Sequence, residues 1–238
     1  MSLILDIRLL GGFSLNYGDR PVTAITSRRS QALLAYLVLH RQVAQSRQRL
    51  AFHLWPESTD EQARANLRKE LSRLRLGLTS SEEFLRIDTR TLQWLPDGNF
   101  TLDVAEFETA VKAAEQTTDR SAIRIHLEQA IEQYRGNLLP DWEDEWVLPE
   151  RERLQQKHLR ALERLVSVLE EQRDYQTALT YAQQMLSLDP LNEAAYGALI
   201  RLYGLSGDRA KALQLYHQCM TVLREELGVD PSSTTCRL

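Results

Sequence analysis

Apolar and polar residues alternate at the start of the chain. Leu3, Leu5, Ile7 and Leu9 fall on one side, with Asp6 and Arg8 opposite, which predicts a strand. Gly11-Gly12 interrupts, and Phe13, Leu15 and Tyr17 alternate again. Gly18-Asp19 reads as a turn, and Arg20-Pro21-Val22 as a short third strand. A small antiparallel sheet is expected. The period then changes to that of a helix. Ser27 is a good N-cap for a helix through Ala32, Leu33, Leu37 and Leu39; Ser46 opens a second that closes at Trp55-Pro56. Glu57–Asp60 reads as a loop. From Ala63 to Leu78 the chain reads ARANLRKELSRLRLGL, with Leu67, Leu71, Leu74 and Leu78 spaced 4, 3 and 4 apart. This is one apolar stripe on a third helix. Phe84, Leu85 and Ile87, then Leu92, Trp94 and Leu95, form a hairpin with Arg86 and Arg90 at or near its tip.

After the turn cluster Pro96-Asp97-Gly98-Asn99 everything reads helical: Val104–Glu115, Ala122–Tyr134, Trp142–Glu171 with a bend expected near Pro149, Tyr175–Leu188, Glu193–Tyr203 and Ala210–Glu226. Asp174-Tyr175-x-x-Ala178-Leu179 recurs as Asp208-Arg209-x-x-Ala212-Leu213, a period of 34 residues. That is the tetratricopeptide period. Small Ala178 and Ala212 let paired helices approach closely, and such units stack because one alone cannot bury its apolar face. The fold class read from the pattern is mainly α. An α+β winged helix-turn-helix over residues 1–98 precedes tetratricopeptide-like helical repeats over residues 99–238.

Charge sharpens this division. Residues 1–100 carry 14 Lys/Arg against 10 Asp/Glu, whereas residues 101–238 carry 15 against 23. The basic half suits nucleic acid and the acidic half would be repelled by it. Arg64, Arg68, Lys69, Ser72 and Arg75 lie on an arc of the third helix beside the leucine stripe, with Arg73 and Asn66 further round. A basic helix behind a helix pair and before a hairpin has the layout of a recognition helix with its wing. By itself the same helix also fits a solvated face.

Taken together, these stretches resemble the antibiotic-regulatory (SARP-type) transcriptional activators of bacteria. In that family a response-regulator-type winged helix precedes a bacterial transcriptional activation domain. The resemblance is carried by Leu10-Gly11-Gly12-Phe13, the Ser27-Arg28-Arg29 helix with Leu33-Leu34-Ala35-Tyr36-Leu37, Leu54-Trp55-Pro56, and Ala63-Arg64-Ala65-Asn66-Leu67-Arg68. It continues with Asp103 and Phe107, Tyr134-Arg135-Gly136-Asn137-Leu138-Leu139-Pro140, Glu145-Trp146, Asp189-Pro190-Leu191, and Glu226-Leu227-Gly228-Val229-Asp230-Pro231. It implies a double-stranded DNA-binding activator that occupies direct repeats near promoters, self-associates on tandem sites and contacts RNA polymerase. By that likeness Arg64, Arg68, Lys69, Ser72 and Arg75 face DNA, and Arg90 on the wing lies near phosphate. Larger members add an ATPase domain downstream. The alternatives are therefore a tetratricopeptide protein-interaction scaffold, or the N-terminal fragment of a larger ATPase-linked regulator.

Other chemistry is not expected. Cys219 and Cys236 give no disulfide framework, which suits a reducing cytoplasm. No run approaches the ~20 apolar residues of a membrane span. His40, His53, His126, His158 and His217 show no ligand pairing, and no CxxC, Walker or GxSxG motif occurs. Hence no catalytic residue, metal, cofactor or membrane partner is expected, and the chain does not read as an enzyme. Trp55 and Trp94 read as core, as do the repeat tyrosines Tyr175, Tyr181, Tyr196, Tyr203 and Tyr216. The acidic cluster Asp141-Trp142-Glu143-Asp144-Glu145-Trp146 reads as the opening of the long helix.

Overall fold

The computed structural model describes residues 4–237. Leu3, placed on the first strand by the alternation, lies outside them. The chain divides into two compact units, Met1–Glu106 with Gln133–Leu154, and Phe107–Glu132 with Gln155–Leu238.

In the first unit β1 (Leu5–Arg8) pairs antiparallel with β2 (Ser14–Tyr17), and β2 with β3 (Arg20–Pro21). Leu5, Ile7 and Leu9 are buried on the inner face, as their alternation requires. Next come α1 (Arg28–Leu39), β4 (Gln45–Ser46), α2 (Arg47–Leu54), α3 (Asp60–Gly77), β5 (Leu85–Ile87) and β6 (Thr91–Trp94). Ser27 and Ser46 cap α1 and α2 by accepting from the amides of Ser30 and Arg49. α3 begins three residues before the expected Ala63. Thr59 is its N-cap, and Asp60 and Glu61 put negative charge on its first turn. The wing is a three-stranded sheet in the order β4-β6-β5, with Trp94 buried between the rings of Phe84 and Phe100. Trp55 is half-buried.

The expectation of helix throughout after residue 99 is overturned by β7 (Phe100–Leu102). This strand pairs parallel with β1, Ile7 opposite Leu102, so the first sheet is mixed rather than antiparallel. Directly after β7, the buried Asp103 carboxylate accepts from the amides of Leu9 (2.8 Å), Leu10 (2.7 Å) and Val104 (2.7 Å). Burial raises its pKa against the opposing pull of these bonds. Residues 133–142 close the same region. Leu10 bridges Leu138, Gly11 donates to the Asn137 carbonyl, and a Cβ on Gly136 would meet the Gly11 Cα at 3.0 Å.

The acidic cluster does not open the long helix. Asp141–Trp146 is irregular, with Trp142 and Trp146 buried. Arg151 gathers this loop through the carbonyls of Leu138 (2.8 Å), Leu139 (2.6 Å) and Trp142 (2.7 Å). The Arg28 guanidinium lies 3.9 Å over the Trp142 ring, and Arg29 pairs with Asp144 at 3.0 Å. These buried rings and buttressing charges outcompete helical propensity. α6 (Val147–Glu171) therefore starts later than expected, and Pro149 falls in its first turn, where its missing amide removes no intrahelical bond.

The second unit is helical. It is built from α4 (Asp103–Gln116) from Phe107 on, α5 (Arg120–Gln133) as far as Glu132, α6 from Gln155 on, and α7 (Tyr175–Leu188), α8 (Glu193–Leu205) and α9 (Arg209–Leu227). The 34-residue repeat is visible in its caps. Arg173 and Gly207 both take positive φ, and Asp174 and Asp208 then cap α7 and α9 by accepting from the amides three residues on. Ala178 is buried at the helix contact and Ala212 is half-buried. His158 is buried beside the Phe107 ring, and burial pushes its imidazole down to about 4. Among the described residues no helix is long and apolar enough to cross a membrane.

Candidate nucleic-acid interface

The seat of α3 decides which of its side chains face outward. Ala63, Leu67, Leu71 and Leu74 are buried, and α3 packs on α1 and α2. Glu70 is buried on the same side. It accepts from the hydroxyls of Ser27 (3.0 Å) and Ser30 (2.5 Å) and from the Arg73 guanidinium (2.6 Å). A buried carboxylate is tolerated when charge and donors meet it. The two serine hydroxyls fix the rotation of α3 against the start of α1, and Arg73, on α3 itself, offsets the charge of the carboxylate. Arg73 is therefore engaged within the protein. Sequence reading missed Glu70, although its spacing from Leu67 and Leu74 placed it within the stripe.

With that rotation set, Arg64, Arg68, Lys69, Ser72 and Arg75 are all exposed on α3. Arg64 has a solvated contact to Asp60 at 3.8 Å. An exposed pair at this distance holds little energy. Among the described residues Arg68, Lys69 and Arg75 have no ion pair or side-chain hydrogen bond. Leu76, four residues beyond Ser72, is 84% exposed. Sequence reading passed over it, yet a leucine off the stripe of an amphipathic helix is a signal in itself. An exposed alkyl group beside cationic side chains suits contact with a thymine methyl.

Arg90 lies not on α3 but in the wing turn, where its carbonyl accepts from the Arg47 amide at 2.9 Å. The Arg47 guanidinium donates to the Asp88 carbonyl across the same turn at 3.2 Å. The pairing of β4 with β6 completes this tie. The wing turn is thereby fastened to the first turn of α2. Arg49, exposed in that turn, lines a groove of about 380 Å³ with Ser46, Gln48, Asp60 and Arg64. The structure thus brings Arg64 to Arg49, and Arg90 to Arg47. Neither α2 arginine was singled out from sequence, where the cap at Ser46 was the available signal. Arg28 and Arg29, by contrast, are turned to Trp142 and Asp144. No group of His, Cys, Asp or Glu among the described residues is placed to hold a metal ion.

Comparison with known proteins adds a lineage to this geometry. The profile described as bacterial transcriptional activator domain matches residues 102–238. The chain is similar to the regulatory protein AfsR of Streptomyces coelicolor, at 28% identity over 90% of this chain and 22% of that protein. It is similar to the transcriptional regulatory protein EmbR of Mycobacterium tuberculosis, at 29% identity over 97% of this chain and 61% of that protein. The chain thus spans less than two thirds of the length of these relatives. A solved structure of Mycobacterium tuberculosis EmbR in complex with a low-affinity phosphopeptide superposes with a TM-score of 0.81 at 26% identity. It covers 99% of this chain and 64% of that one.

Proposed function

Because the chain belongs to the bacterial transcriptional activator domain family, as a SARP-type regulator, we propose that it is a transcriptional activator that binds double-stranded DNA in a sequence-specific manner. The observation that carries this reading is the outer face of α3. Arg68, Lys69 and Arg75 stand exposed, without partners among the described residues, on a helix whose rotation is locked from behind. Side chains held ready at no internal cost are what phosphate and guanine contacts need. In this reading α3 enters the major groove, Arg64, Arg68, Lys69, Ser72 and Arg75 meet bases and phosphates, and Arg90 on the wing meets the adjacent backbone.

The mechanism is recruitment. The first unit places the protein beside a promoter, on direct repeats that seat copies side by side. The acidic repeat unit, repelled by DNA, adds contacts to RNA polymerase. Selection of genomic fragments by the purified protein, followed by footprinting, tests the reading. Protected direct repeats are expected, with affinity that falls steeply as salt rises. Absence of any salt-dependent duplex binding would favour a tetratricopeptide scaffold instead.

A further inference from the structure

Leu76 stands on the ridge of α3 that lies farthest from the core. The buried stripe is Leu67, Leu71, Leu74 and Leu78. Two residues before each of these come Ala65, Lys69, Ser72 and Leu76, with the same spacing of 4, 3 and 4. A step of two residues turns an α-helix by about 200°. The second row therefore runs along the opposite side, and Lys69, Ser72 and Leu76 are exposed there. It spans about 16 Å, the rise of roughly five base pairs. Two observations set Leu76 apart from a stray surface leucine. It is the most exposed large apolar side chain among the described residues, and no other exposed one lies on α3. A surface built for another protein would be a contiguous patch, whereas this is one alkyl group beside Ser72, Lys69 and Arg75. Arg73, three residues earlier, is near enough along the helix to lie across it. Its guanidinium is instead drawn to Glu70 at 2.6 Å. The carboxylate that receives the two serine hydroxyls thus also keeps Leu76 bare.

Phosphates and the polar edges of bases offer an alkyl side chain nothing. In the major groove its apolar complement is the C5 methyl, which thymine alone of the four bases carries. Cytosine methylated at C5 presents the same group at the same place. We propose that Leu76 reads the C5 methyl of a pyrimidine. One position of the DNA site is then chosen by methylation as well as by base: thymine is preferred to uracil there, and 5-methylcytosine to cytosine. The assignment rests on the DNA reading of α3 and adds an apolar determinant to its polar set. It also makes Leu76 the point at which a methylated duplex differs from an unmethylated one.

The test uses the full chain and the tightest duplex that it selects from a random-sequence library. That duplex is synthesised with each thymine in turn replaced by uracil, which removes one methyl and leaves every hydrogen-bonding group in place. Fluorescence anisotropy at fixed salt reads the affinities. At one position uracil should raise the Kd by about three- to fivefold. There 5-methylcytosine should bind more tightly than cytosine by a similar factor. Leu76→Ala should bind the thymine and uracil duplexes equally. Leu76→Gln is the second variant, should Leu76→Ala fail to keep the wild-type circular dichroism. The proposal is overturned, with the DNA reading intact, if the protein selects a sequence that no uracil substitution weakens. It is overturned in the same way if 5-methylcytosine and cytosine bind alike, or if a folded Leu76 variant keeps the wild-type sensitivity. Absence of any salt-dependent duplex binding by wild type would overturn the DNA reading and this assignment together.

Discussion

Glu70 of α3 accepts a 2.5 Å hydrogen bond from the Ser30 hydroxyl of α1, and both side chains are buried. The same carboxylate takes the Ser27 hydroxyl and the Arg73 guanidinium. Hydrogen bonds to a buried charge contribute about 1.5–3 kcal/mol each. Glu70→Ala should therefore lower stability by about 2–3 kcal/mol in urea unfolding. It should also weaken DNA binding, since α3 loses its fixed rotation.

The outer face should behave in the opposite way. Arg68→Ala and Arg75→Ala should each cost about 1–3 kcal/mol of specific DNA affinity. Their unfolding free energies should stay within about 0.5 kcal/mol of wild type, as expected for exposed groups without partners among the described residues. Arg73→Ala should reverse this order, losing stability and leaving operator preference intact. Titrating operator and random duplex with each variant separates the two patterns. Equal affinity of wild type and both outer variants would overturn the α3 assignment.

The Arg28–Trp142 contact yields a third expectation. Trp142 is buried, stacked near Phe13 at 6.0 Å and covered by Arg28. Trp142→Ala should cost about 3–5 kcal/mol by thermal or urea unfolding. Arg28→Ala removes the cation from the ring but leaves the ring packed, and should cost about 0.5–1 kcal/mol.

These contacts also mark the limit of what the sequence revealed. Local periodicity made the helices legible, because leucines at Leu67, Leu71 and Leu74 and caps at Ser27, Ser46, Asp174 and Asp208 act within a few residues. The outward set on α3 followed from the same period. What escaped depends on distant partners. β7 is three residues long and is defined by β1, far away in the chain. Asp141–Trp146 has the composition of a helix start, but its tryptophans are claimed by Phe13, Tyr36 and Arg28. Arg47 and Arg49 carry no periodic signal; the fold of the wing gives them their neighbours.

His158 yields a prediction in pH. Burial pushes its imidazole down to about 4, below the ~6.5 of an unfolded chain. Between those values the unfolded chain binds the extra proton, so stability rises with pH across the window. The contribution is fully present above pH ~6.5 and is lost as pH falls toward ~4, by about 3 kcal/mol at most. Urea midpoints of wild type and His158→Gln, compared at pH 7 and pH 4.5, isolate it because carboxylates titrate in both. The difference between the two proteins should shrink at the lower pH.

The parallel pairing of β1 with β7 has a consequence for how the protein is made. At about 5–20 residues per second on the ribosome, Leu5 waits roughly 5–20 s before Phe100, its partner in the register, has been added. Asp103, which caps the amides of Leu9 and Leu10, arrives later still, and Leu138 after that. Throughout that interval β1 has an open edge available to the nascent chain of a neighbouring ribosome. A fragment ending at residue 98 would keep that edge open for good. Its most damaging failure would be strand exchange between young chains, before any promoter is met.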